Sequence, residues 1–96
     1  MALLDLLGRR WTLRVLWELR NGPLSSRALR AACDDVSPTV LQARTADLRA
    51  AGLLQLRARE GYALTDLGHE LLAAFGPLHA FAARWAEHEP SLSPDD

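Results

Sequence analysis

The segment Ser37-Pro38-Thr39-Val40-Leu41-Gln42-Ala43-Arg44-Thr45-Ala46-Asp47-Leu48-Arg49-Ala50-Ala51-Gly52 carries both ends of a helix and two chemically different sides. A serine before the first turn accepts a hydrogen bond from an otherwise orphan backbone N–H. Proline at the next position has a preset φ and lacks only an N–H that would be unpaired there anyway. Gly52 supplies the left-handed residue that closes a helix near Ala51. Helical spacing puts Leu41, Thr45 and Leu48 on one side and Thr39, Gln42, Ala43 and Ala46 opposite, with Arg44 and Arg49 on the borders. One side is built to pack and the other is left free.

Upstream, Ser25 or Ser26 can cap a helix over about 26–32, with Leu29 pointing inward and Arg27 and Arg30 outward. Cys33-Asp34-Asp35-Val36 joins it to the segment above. Two helices joined by a short turn, the second opening at a sharp cap, form a helix-turn-helix that presents a helix to the DNA major groove. Further back, Leu3, Leu4, Leu6 and Leu7 make a short apolar helix ending near Gly8. A second helix over about 11–20 carries Leu13, Leu16, Trp17 and Leu19 and stops at Asn21-Gly22-Pro23.

Downstream of Gly52 the period changes. Leu54, Leu56 and Ala58 alternate with Gln55, Arg57 and Arg59, as in a half-buried strand. Arg59-Glu60-Gly61 turns the chain and Tyr62 to Leu64 return as a second strand. Thr65 or Asp66 can cap a last helix reaching about His88. In it Leu67, Leu71, Ala74, Leu78, Phe81 and Trp85 form a heptad-like stripe, and Gly76-Pro77 should kink or split it. The expected fold is mainly α with a small β-hairpin: a winged helix-turn-helix over 1–88, with extra N- and C-terminal helices. Residues 89–96, with two prolines, two serines and three acids, read as a disordered tail.

Composition narrows the function classes. Ninety-six residues, 49% hydrophobic and 24% charged, suit one small globular domain. The longest apolar runs fall far short of the roughly 20 residues needed to cross a bilayer. The apolar residues of the N-terminus precede Arg9 and Arg10, the reverse of a secretory signal, so a cytoplasmic location is expected and no membrane partner. The net charge of −1 conceals a polarity: residues 1–60 carry ten arginines against six acids, residues 61–96 one arginine against six acids. Every basic residue is arginine, whose planar fork of donors suits phosphates and guanine edges. One cysteine, Cys33, and three scattered histidines give neither an internal disulfide nor a metal-ligand spacing, so no metal and no cofactor is expected. Cys33 lies beside two acids that would raise its pKa, which makes it an inert small residue. No nucleophile triad, paired carboxylate or phosphate loop occurs at usable spacing, and an enzyme is the weakest hypothesis.

Leu7-Gly8-Arg9-Arg10-Trp11-Thr12-Leu13, Leu16-Trp17-Glu18-Leu19, Gly22-Pro23, Ser37-Pro38-Thr39-Val40-Leu41, Gly52-Leu53 and Tyr62-Ala63-Leu64-Thr65-Asp66-Leu67-Gly68, in that order, resemble the HxlR-type family of bacterial winged helix regulators across residues 3–88. The resemblance implies a dimeric DNA-binding transcription regulator. It makes the fourth helix the recognition helix and puts the first and last helices at the dimer interface. Members usually have a longer wing with prolines and basic residues; here only Arg57 and Arg59 remain beside a three-residue turn. Many also carry a cysteine before the first helix, used by some as a redox sensor, and this sequence has none there. Ala43 and Thr45 stand where family recognition helices often have Gln and Leu.

On this basis the expected contacts to duplex DNA begin at Ser37. Thr39 and Gln42 would touch base edges, Ala43 or Ala46 thymine methyls, and Arg44 and Arg49 the borders of the footprint. Arg44 could instead pair with an acid at the core rim. Arg27, Arg30, Arg57, Arg59 and the Ser25 and Ser26 hydroxyls are candidate phosphate clamps, with plain solvation as the competing reading. A homodimer is expected to bury Leu4, Leu7, Leu71, Leu78, Phe81 and Trp85 in part. Trp11, Trp17 and Trp85 read as core or interface anchors; lining a pocket for a small-molecule effector is the alternative. The short wing, the alanine-rich helix face and the net acidity leave a second function class open, a winged helix protein-interaction module that has lost DNA binding.

Overall fold

A computed structural model describes residues 2–88, so the tail expected over 89–96 lies outside the described residues. The elements run α1 (Ala2–Leu7), α2 (Thr12–Glu18), α3 (Ser26–Ala32), α4 (Pro38–Ala50), β1 (Leu54–Arg57), β2 (Gly61–Leu64) and α5 (Asp66–His88). Side-chain oxygens fix three of the helix starts. Ser25 Oγ accepts from the Ala28 N–H at 3.1 Å, Ser37 Oγ from the Val40 N–H at 3.2 Å and Thr65 Oγ1 from the Gly68 N–H at 3.0 Å. The Thr65 hydroxyl also donates to the Gly52 carbonyl at 2.6 Å, tying the end of α4 to the start of α5.

The core is centred on α2, which touches each of the other four helices. Val15 and Leu16 of α2 and Leu19 just past its end are fully buried against Leu29, Cys33, Val36, Leu41, Leu48, Leu53, Leu54 and Leu64. Each such side chain contributes about 1.5–3 kcal/mol on leaving water. The antiparallel hairpin pairs Leu54 with Leu64 and Arg57 with Gly61. A third segment, not anticipated from the sequence, joins β2 from the α2–α3 connection. The Leu24 N–H donates to the Tyr62 carbonyl at 3.0 Å and the Tyr62 N–H to the Leu24 carbonyl at 2.8 Å. Gly61 permits this approach: its φ is 98°, and a Cβ there would collide with the Leu24 carbonyl.

Two expectations need correction. Leu56 does not follow the alternation into the core; it is 51% exposed, because the distal half of the hairpin projects past the helices that could cover it. Nor does Gly76-Pro77 split the last helix, which is continuous for 23 residues with Pro77 inside it. Pro77 denies the Ala73 carbonyl its helical partner, but both residues are exposed, so solvent can take the place of the missing N–H. Beyond Phe75 every described residue of α5 is exposed.

Candidate nucleic-acid interface

On α4 the two sides are as distinct as the spacing implies. Leu41, Thr45 and Leu48 are buried, while Thr39, Gln42, Ala46 and Arg49 are exposed and Ala43 is half-buried. Thr45 is tolerated in the core because its hydroxyl donates to the Gln42 carbonyl at 3.1 Å. Ser37, spent as the cap, is exposed at the start of the helix.

The orientation of α4 depends on the turn before it, where Asp34 and Asp35 have φ of 57° and 56°. Left-handed backbone is costly for residues with a Cβ, least so for Asp and Asn. Arg14 of α2 stabilises it with all three guanidinium nitrogens. Nη2 donates to the Ala32 carbonyl at 2.7 Å, Nη1 to Asp34 Oδ2 at 3.2 Å and Nε to Glu18 Oε2 at 2.8 Å. The hydrogen bond to Glu18, then that to Asp34, raises the Arg14 pKa further against the opposing desolvation. Arg30 closes the far side of the turn, donating from Nε to the Val36 carbonyl at 2.7 Å. Nothing in the sequence marked Arg14 for this role, since its two partners in the turn lie 18 and 20 residues away.

Cys33 is buried beneath the same turn. Its thiol pKa is raised, as expected, but the main cause is burial; Glu18 and Asp34 add to the rise and Arg14 opposes it.

The arginines divide by partner. Arg27, Arg49 and Arg59 are exposed and make no ion pair among the described residues. Arg57 pairs with Glu60 at 3.5 Å. Arg44 is half-buried with Nε 3.7 Å from Asp47 Oδ2, so pairing with an acid at the rim is realised. The same oxygen accepts from Arg9 Nη1 at 2.8 Å, which brings a residue of the α1–α2 turn onto the border of α4. Sequence reasoning missed Arg9 and Asp47, whose separation of 38 residues gives no local signal. One cleft gathers Ser26, Arg30, Pro38, Gln42 and Tyr62, joining the start of α3 to the outer side of α4. Arg57 is not part of it; it lies beside Arg20, Asn21 and His69 on another side of the hairpin.

The expected interface residues also divide. Leu4, Leu78, Phe81 and Trp85 are exposed, and Leu71 is half-buried against the core. Leu7 is corrected: at 9% exposure it belongs to its own domain's core, because the closing turn of α1 folds it under α2. Trp17, 38% exposed, stacks on His79 with ring centroids 4.7 Å apart, and the Arg20 guanidinium lies 4.1 Å from the Trp17 ring centroid. Trp11 is partly buried against the core, as an anchor should be. Among the described residues no group of histidines, cysteines and acids could hold a metal, and no helix is long and apolar enough to cross a membrane.

Known proteins share this arrangement. The HTH-type transcriptional regulator YvaP of Bacillus subtilis is 28% identical over 89 residues, 86% of this chain and 82% of that protein. Quinone-bound YodB, also from B. subtilis, superposes with a TM-score of 0.77 at 26% identity, over 83% of this chain and 90% of that one. The structure of a possible HxlR family transcriptional factor from Thermoplasma volcanium gives a TM-score of 0.78 at 28% identity, over 88% and 81% of the two chains. Residues 6–90 match the HxlR-like helix-turn-helix family itself. With its capped, half-bare α4 and its short wing, the chain belongs to that family and is a DNA-binding transcriptional regulator.

Proposed function

We propose that the protein binds duplex DNA as a two-fold homodimer, placing the outer side of α4 in the major groove and joining protomers through α1 and the distal half of α5. The observation that carries the DNA reading is the bare side of α4, opposite a fully packed one, with Arg49 on its border and Arg27 on the neighbouring α3 both exposed and without an ion pair among the described residues. Ser37, Thr39, Gln42, Ala43 and Arg44 supply the reading surface, and Arg27, Arg49, Arg57 and Arg59 the phosphate contacts. Arg57 would have to leave Glu60 to take part, a small cost for an exposed pair.

The dimer reading rests on α5. Leu78, Phe81 and Trp85 are 55%, 51% and 45% exposed on a helix segment that leaves the body of the domain, and Leu4 is 62% exposed. A shallow apolar groove lined by Leu3, Leu6, Leu53, Leu67, Leu71 and Ala74 continues this surface between α1 and α5. Two copies related by a two-fold axis would cover each other's ridge and groove. Their recognition helices would then meet half-sites about 34 Å apart on one face of the duplex.

Light scattering at micromolar concentration together with a gel shift on the gene's own upstream DNA, at two salt concentrations and against random competitor, tests both parts. A dimer mass with salt-sensitive, competitor-resistant binding is expected. A monomer mass overturns the dimer, and binding lost equally to random competitor overturns sequence reading by α4.

A further inference from the structure

Asp47 is the only acid on α4, and it stands among the arginines of the proposed interface. Its Oδ2 accepts from Arg9 Nη1 at 2.8 Å and lies 3.7 Å from Arg44 Nε. Among the described residues Arg44 Nε is buried with no hydrogen-bond acceptor, and neither Nη of that residue makes a hydrogen bond. A guanidinium whose Nε edge is turned into the protein has one edge left to offer, the pair of Nη groups. That pair matches the two acceptors, O6 and N7, on the major-groove edge of guanine.

We propose that Asp47 is a positioning residue for DNA reading: it fixes the Arg44 guanidinium with its Nη pair outward and withholds Arg9 from the phosphates. The assignment rests on α4 being the reading helix. Two consequences of opposite sign follow. The carboxylate's negative charge weakens attraction to any duplex, while its hold on Arg44 sharpens discrimination between duplexes. A residue that merely stabilised the fold would change binding to both kinds of duplex in the same direction.

The test uses the full chain with Asp47→Asn, which keeps the shape and removes the charge. Binding is followed by fluorescence anisotropy over a salt series, on a duplex selected in vitro from a random pool by the wild-type protein and on a scrambled duplex. Binding to the scrambled duplex should tighten several-fold and its log–log salt slope should steepen by about one as Arg9 gains a phosphate. The ratio of selected to scrambled affinity should drop roughly tenfold, the share of one base contact. Asp47→Glu should restore the ratio. Arg9→Gln should weaken binding to both duplexes and keep the ratio, since Asp47 still holds Arg44. An Asp47→Asn protein that keeps its ratio, or loses affinity for both duplexes in parallel, overturns the assignment to Asp47 alone. If the wild-type protein selects no duplex, the reading of α4 itself fails.

Discussion

Replacing Arg14 with methionine would keep the apolar stem and delete the fork that holds the turn before α4. The bond from Nη2 to the Ala32 carbonyl, 2.7 Å and partly buried, is worth about 1 kcal/mol. The pairs with Glu18 and Asp34 are worth less, about 0.5 kcal/mol each, because the Arg14 side chain is 39% exposed and that of Asp34 70%. Together about 2 kcal/mol of stability should be lost, and for a domain of this size the thermal midpoint should fall by roughly 8–16 °C. Arg14→Lys should recover little of this, since an ammonium cannot address a carbonyl and two carboxylates at once. Circular dichroism melts and urea titrations measure the loss. Anisotropy at a temperature where the variant is fully folded then reads its effect on DNA: with Asp34 and the Ala32 carbonyl released, α4 is no longer held at one angle to α3, and affinity should weaken. A wild-type midpoint in the methionine variant, or undiminished DNA binding despite the expected loss of stability, would refute the clamp.

Other expectations follow from single atoms. Gly61→Ala forces a side chain against the Leu24 carbonyl at a φ of 98°, so the Leu24–Tyr62 bridge should break, with about 2–4 kcal/mol lost in urea titration and deprotection of the Leu24 and Tyr62 amides in hydrogen exchange. Thr12 is fully buried, and its Oγ1 has no hydrogen-bond partner among the described residues; Thr12→Val removes that polar atom at equal size and should raise stability by about 1 kcal/mol in the same titration. Burial raises the Cys33 thiol, so the folded state keeps its proton where the unfolded chain has lost it. Stability should therefore fall as pH rises through the ordinary thiol range and beyond, and Cys33→Ala, though less stable at neutral pH, should lack that part of the fall. Until unfolding, native Cys33 should resist a thiol reagent.

Local order alone determined much of this protein. Ser37-Pro38, Ser25, Thr65 and the left-handed Gly52 after α4 set where helices begin and end, because caps act on backbone groups within a turn of themselves. The 3.6-residue spacing of Leu41, Thr45 and Leu48 likewise fixed which side of α4 is bare. What the tertiary structure decided involves residues far apart in the chain. Arg14 meets Asp34 and Ala32, Arg9 meets Asp47, and Leu24 pairs with Tyr62, contacts that exist only once the helices are docked. Burial also depends on what lies overhead, which no periodicity encodes. Leu7 and Leu56 are both leucines on apolar stripes, yet the first joins the core at 9% exposure and the second stays 51% exposed.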